Sequence, residues 1–180
     1  MKKWLCLVLT LLTLTVCVWA VAESTDWNYD LNYAILRGYN GAGGDVTVPA
    51  EIDGYTVDVI GVSVFGSEAI TSLTLPETVL ELRSNAVSGC ENMTSVTLPQ
   101  SLVVINRMNF FSCNSLEEAA IPAGVRYIGE NSFRFCDALR KITFEGVCPL
   151  IDKGCFSLIA EDAVAYVPDD ELEAYTEAFE

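Results

Sequence analysis

Residues 98–122 read LPQSLVVINRMNFFSCNSLEEAAIP, and residues 121–146 read IPAGVRYIGENSFRFCDALRKITFEG. Offset by 23 positions, the two segments repeat one pattern: Pro99 falls on Pro122, Ile105 on Ile128, Phe110 on Phe133, Cys113 on Cys136. The register extends in both directions. Prolines stand at 76, 99, 122 and 168, with Glu145 in the missing place, and Cys90 precedes Cys113 by the same interval. Phe156 follows Phe133, Val87 precedes Phe110, and Leu82 and Ile151 flank the two isoleucines. No insertion or deletion interrupts the spacing from Pro76 to Pro168. A fixed period of this length marks a solenoid, in which equivalent residues of successive coils stack into ladders.

The last stretch of each unit alternates: Val96 and Leu98, Ala119 and Ile121, Ile142 and Phe144, Ala165 and Val167. Period two over a few residues predicts a short strand with one buried face. Proline follows in most units and cannot donate to a ladder, so it ends the strand. Over residues 82–93 the apolar positions lie three to five apart, which predicts turns or a short helical piece. Stacked, such units make a parallel sheet on one face and irregular arcs on the other. No single unit can bury its own apolar side, so several must stack.

The ends depart from the period. Pro49 precedes Pro76 by 27 residues, so the first unit holds an insertion. No helix pattern follows Gly41-Ala42-Gly43-Gly44, so this segment reads as a hairpin turn and not as a phosphate cradle. After Pro168, Asp169 is expected to cap a helix with Leu172, Tyr175 and Phe179 along one face. Lys2 and Lys3, the apolar run Trp4 to Val18 and the small-residue site Ala20-Val21-Ala22 read as a secretory signal peptide; a retained membrane anchor is the rival reading. The expected organisation is a signal peptide at 1–22, a cap with a hairpin at 23–48, about five repeats at 49–168 and a cap helix at 169–180.

The two quoted segments resemble the BspA-like, Treponema-type class of leucine-rich repeats, whose usual unit is similar to I-P-x-x-V-x-x-I-G-x-x-A-F-x-x-C-x-x-L-x-x-I-x-I-P. Residues 31–65, LNYAILRGYNGAGGDVTVPAEIDGYTVDVIGVSVF, are similar to that family's longer first unit, and residues 163–179, AVAYVPDDELEAYTEAF, to a common ending. The resemblance implies an α/β solenoid: a right-handed leucine-rich-repeat coil of short parallel strands with an N-terminal hairpin cap and a C-terminal helical cap. In function it implies binding, as in adhesion to host matrix, host receptors or neighbouring cells. Val87 in place of Phe, Ser67 near the place of a first Cys, Ile159 in place of Cys and Asp162 on the Leu139 rung depart from the pattern.

Charge narrows the partners. Removing Lys2 and Lys3 leaves eight basic residues against 25 acidic, a net charge of −17 for residues 23–180. Such a surface repels nucleic acid and anionic membranes. The tail is the most one-sided part, since residues 154–180 hold eight acidic groups and no Lys or Arg. The chain has no histidine, so every Ser-His or Cys-His arrangement is excluded. No acidic pair recurs on a predicted strand, and adjacent Glu117 and Glu118 face opposite ways. Asp152, Glu161-Asp162 and Asp169-Asp170-Glu171 lack calcium-loop spacing. No catalysis, cofactor or metal is therefore expected. The motif Asn92-Met93-Thr94 fits a glycosylation sequon by chance, and Leu75-Pro76-Glu77-Thr78 is a strand end and not a sorting signal.

Cys90, Cys113, Cys136, Cys148 and Cys155 form an odd set, and three of them share a rung with their side chains pointing the same way. They are expected as buried thiols in a structural ladder beside Phe110, Phe133 and Phe156. If residues 96 and 98 point inward, the outward rows hold Ser72, Thr74, Ser95, Thr97, Glu118, Lys141 and Thr143. These are the candidate ligand contacts, with Phe111 and Phe135 on the opposite arc as competing anchors. The expectation is a secreted or cell-surface module for an extracellular protein or glycan, without stable membrane insertion after signal cleavage. The alternatives are a structural spacer or self-assembly module of the cell surface and, third, a carbohydrate-active enzyme.

Overall fold

The computed structural model describes residues 26–179, so the expected signal segment lies outside the described residues. The chain opens with an antiparallel hairpin of β1 (Trp27–Asp30) and β2 (Ile35–Tyr39). It then coils through β3 (Gly44–Thr47), β4 (Glu51–Ile52), β5 (Tyr55–Thr56), β6 (Val59–Ile60), β7 (Ile70–Thr74), β8 (Glu81–Leu82) and β9 (Ser95–Thr97). The later coils hold β10 (Val104–Ile105), β11 (Glu118–Ile121), β12 (Tyr127–Ile128), β13 (Lys141–Phe144), β14 (Leu150–Ile151) and β15 (Val164–Tyr166). A 3-10 turn, Asp169–Glu171, leads into α1 (Leu172–Phe179). Among the described residues no helix is long and apolar enough to cross a membrane.

Two sides of each coil are sheet. One side carries β3-β7-β9 and β11-β13-β15, all parallel, with a bulge at Gly44/Asp45 where β3 meets β7, and with Ser72 opposite Ser95 and Glu118 opposite Lys141. The other side, expected as irregular arc, is a seven-stranded sheet in the order β1-β2-β6-β8-β10-β12-β14. From β6 onward its strands are two residues long, too short to show a period-two pattern. They pair because stacked coils bring Leu82, Ile105, Ile128 and Ile151 into one ladder.

The Gly-rich segment is corrected by the structure. The hairpin turn lies at residues 31–34, while Gly43 and Gly44 (φ +88° and +74°) carry the chain from the seven-stranded sheet to β3. A Cβ at Gly43 would fall 2.5 Å from the Ala69 carbonyl oxygen, so glycine is required by close approach of backbone. The insertion before Pro76 is the β4–β5 hairpin, turned by Asp53 and Gly54 at φ +52° and +83°. Two consecutive positive φ values are the signature of the two-residue turn that matches strand twist.

The corners between β8 and β9 and in the later coils repeat a backbone device. Asn85, Met108, Asn131 and Gly154 are all left-handed, as are Gly89, Ser112, Phe135 and Leu158 four residues later. Their amides and their neighbours' donate to the next coil, as from Met108 N to Glu130 O (2.9 Å) and Phe110 N to Ser132 O (2.7 Å). Asn and Gly suit a left-handed corner, but Met does not. Met108→Asn is therefore expected to stabilise the fold by about 0.5–1 kcal/mol, the relieved strain less some apolar contact. Urea unfolding of the two proteins checks it, and a lower midpoint for the variant would refute the strain argument.

The core runs through the middle of the coil. Leu82, Leu102, Ile105, Leu116, Ile128, Leu139, Phe110 and Phe133 are fully buried. Two buried polar residues stitch adjacent coils. Asn109 Nδ2 donates to Leu82 O (3.2 Å) and Asn106 O (2.7 Å), and its Oδ1 accepts from Ala86 N (3.2 Å). One coil on, the single proton of Ser132 Oγ is shared between Asn106 O (2.9 Å) and Gly129 O (2.8 Å). These bonds satisfy polar groups that would otherwise be stranded in an apolar interior.

Candidate binding face

On the β3–β15 side, strand pairing extends the two outward rows beyond the candidates read from the period. The first row is Asp45, Ser72, Ser95, Glu118, Lys141 and Val164. The second is Thr47, Thr74, Thr97, Ala120, Thr143 and Tyr166. Ser95, Thr97, Glu118 and Lys141 are exposed, and Ser72, Thr74 and Thr143 are half-buried. Asp45, Thr47, Val164 and Tyr166 were missed by sequence reasoning. Adding 23 to Lys141 and Thr143 would have found the last two, and subtracting the insertion-lengthened 27 from Ser72 and Thr74 the first two.

Polarity changes along the rows. At the N-terminal end Asp45 Oδ1 accepts from Ser72 Oγ (2.7 Å) and Thr71 Oγ1 (3.1 Å). Short hydroxyl side chains follow on β7 and β9. Then Lys141 Nζ meets Glu118 Oε2 at 2.9 Å, and that bond raises the lysine pKa and keeps the ammonium charged. Across a solvent-exposed pair this adds little to stability. The rows end on apolar and aromatic groups, Val164 and Tyr166. Between β9 and β11 the ladder hydrogen bonds are interrupted, dividing the face in two.

The other candidates sit elsewhere. Phe111 and Phe135 are half-buried and pack edge to face at 5.2 Å, with the Arg134 guanidinium 4.9 Å over Phe135. They are occupied with one another more than offered to a partner. Asp152 accepts from Tyr127 OH (2.6 Å), and Asp162 pairs with Arg140 (3.4 Å). Among the described residues no group of three or more His, Cys, Asp and Glu could hold a metal ion. Asn92 donates to Glu68 O (3.0 Å), and Met93 is fully buried.

All five described cysteines are free, and all but Cys148 are buried. On the ladder each thiol donates to a carbonyl of the preceding coil: Cys90 to Phe65 O (3.0 Å), Cys113 to Val87 O (3.5 Å), Cys136 to Phe110 O (3.1 Å). Burial pushes the thiol of Cys136 up to about 12, and that of Cys155 likewise to about 12. Such thiols are neither nucleophiles nor metal ligands near neutral pH. Phe110, Phe133 and Phe156 stack beside them, with ring centroids 4.9 and 5.2 Å apart.

At the C-terminal end Asp169 is no helix cap. Pro168 starts the 3-10 turn with no side-chain cap bond, so Asp169 already lies within the turn. Tyr175 anchors α1 over the last coil; it is buried, its ring lies 4.7 Å from Phe144, and its hydroxyl donates to Gly146 O (3.1 Å). Phe179, one turn on, packs against Phe156 (5.7 Å) and Phe144 (6.0 Å) with its outer side in solvent, and of the three residues expected along one face Leu172 is the most exposed, at 60%.

No curated protein matches the chain. Solved structures do. A leucine-rich repeat protein from Bacteroides capillosus is 31% identical over 67% of this chain and 93% of its own, with a TM-score of 0.57. The Treponema pallidum leucine-rich repeat protein is 21% identical over 84% and 92%, with a TM-score of 0.56. The pneumococcal vaccine antigen PcpA is 16% identical over 83% of this chain and 43% of its own, with a TM-score of 0.64. The model of the BspA type leucine rich repeat region matches six copies across residues 52–178, and the stacked coils with their Cys and Phe ladders are that pattern in three dimensions. The chain belongs to the BspA-type leucine-rich-repeat family.

Proposed function

We propose that the chain is a secreted or cell-surface binding module that holds an extracellular protein or glycan against the outward rows of β3, β7, β9, β11 and β13. The observation that carries this reading is the alignment of short hydroxyl side chains on paired strands, Ser72 with Ser95 and Thr74 with Thr97. Such rows offer donors and acceptors at the strand spacing of about 4.8 Å with little side-chain entropy to lose. Repeat proteins use extended surfaces of this kind for partners. Export rests on the signal-like residues 1–22, and adhesion on the family's character. Catalysis is no part of the reading.

The test is a binding screen of residues 23–180 against extracellular-matrix proteins, mucins and a glycan array, beside a Thr74→Glu, Thr97→Glu, Thr143→Glu variant. Saturable binding weakened at least tenfold in the variant is the expected result. Equal binding by both proteins would sink the sheet-face assignment, and no ligand at all would favour a spacer or assembly role.

A further inference from the structure

The last coil is left unfinished. In β13 the inward residues Ile142 and Phe144 are buried, but on β15 the equivalent Ala165 is exposed, and Val167 just beyond the strand is only half-buried against the core. The reason is geometric: α1 stands over Phe144 and Phe156 and does not lie along β15. A groove of about 360 Å³ remains between strand and helix, lined by Ala165, Val167, Leu172, Tyr175, Thr176 and Phe179. Leu172 is 60% exposed and Phe179 45%, and Val164 and Tyr166 on the strand's outer face are 50% and 53% exposed. Among the described residues β15 is also the edge of its sheet, with no strand paired to one row of its backbone groups.

Among the described residues the rim is mostly acidic, with Arg140 on Asp162 as its one cation. Asp162 precedes the strand, Asp169 and Asp170 lie in the connecting turn, and Glu173 and Glu177 alternate with the groove residues of α1. All five are exposed. Nearby cations are engaged, Arg140 with Asp162 and Lys141 with Glu118, while Lys153 lines a separate hollow with Asp152 and Phe179. Two copies joined by this end would set the acidic groups of α1 and its leading turn against one another, which disfavours self-docking.

We infer that this groove and the free edge of β15 receive a cationic amphipathic peptide segment, added as a strand with its apolar side chains in the groove and its Lys or Arg against the acidic rim. Strand addition takes affinity from backbone hydrogen bonds and specificity from pockets for alternate side chains. The groove supplies those pockets, and the rim selects the charge. The site lies at the end of the coil, apart from the Ser and Thr rows.

The experiment is fluorescence anisotropy on residues 23–180 at 150 mM salt, with a labelled ten-residue peptide of alternating Lys and Leu and a Glu–Leu counterpart. The Lys peptide is expected to bind saturably and the Glu peptide not at all. Leu172→Ser with Ala165→Ser removes exposed apolar groups of the groove without altering charge or the packing of Phe179 on Phe156, and should weaken binding at least tenfold. A remote variant, Asp45→Asn with Glu77→Gln and Glu91→Gln, lowers the acidic charge elsewhere and should change binding less than twofold. N-methylation of the peptide's amides along one edge should abolish binding along that edge only. Equal loss in the groove and remote variants would reduce the contact to general electrostatics and overturn the inference. Absence of binding by the Lys peptide would overturn it too, as would micromolar self-association in sedimentation that the groove substitutions abolish, which would make a second copy the occupant.

Discussion

Between pH 8.5 and 10.5 the folded state is expected to lose roughly 4 kcal/mol through Cys136 and Cys155 alone. Burial raises both thiols from an ordinary value of 9.0 to about 12. Below pH 9 folded and unfolded chains both keep the protons, and the thiols impose no penalty. Above it the unfolded chain gains free energy by ionising, while the folded chain cannot follow until about pH 12. Each such thiol therefore removes about 1.4 kcal/mol per pH unit through that window. Cys90 and Cys113 are raised by the same burial, as is the Tyr175 hydroxyl, so they act in the same direction. A domain with an ordinary stability of about 5–15 kcal/mol would approach its limit there. Urea unfolding from pH 8 to 10.5 measures the loss, and Cys136→Ala should reduce it by about 2 kcal/mol. A flat profile to pH 10.5 would show that the thiols ionise without unfolding.

Phe133→Ala is expected to cost about 3–5 kcal/mol, the usual range for a fully buried aromatic ring. The ring is sandwiched between Phe110 and Phe156, nearly parallel to both at 19° and 12°. Its neighbours cannot collapse into the vacancy, because Phe110 N and Phe133 N are bonded to Ser132 O and Cys155 O of the next coil. Phe156 is only half-buried at the end of the stack, so Phe156→Ala should cost about half as much. Chemical denaturation of both variants reads the difference. Equal costs would mean that the stack relaxes as a unit.

The Phe133 stack and Cys136 trace to ladders legible in the spacing, whereas Cys155 stands off the Cys rung, at the place of Ser132 in the next coil. Cys90, Cys113 and Cys136 share a rung because a 23-residue period returns the chain to the same place above itself. The alternation at 96–98, 119–121 and 142–144 placed the inner and outer faces of the long strands for the same reason. The two-residue strands of the other sheet were not legible, since alternation needs more than one pair to declare itself. Nor were all the left-handed corners. Asn85, Asn131 and Gly154 signal them, but Met108 and Phe135 adopt the same conformation only because the coils on either side hold them.

The period, the stacking and the identity of the buried ladders follow from spacing alone and can be read off the chain. Where the period stops being satisfied is a matter of three-dimensional packing. Packing moved the first hairpin turn from the glycines to residues 31–34, since the glycines are needed where β3 passes close to Ala69. It also seated α1 over Phe144 while leaving β15 open beside Leu172 and Phe179. A repeat specifies its neighbours, but among the described residues the last coil has a repeat on one side only. What covers it depends on the angle at which a short helix leaves Pro168, and that angle is settled by packing.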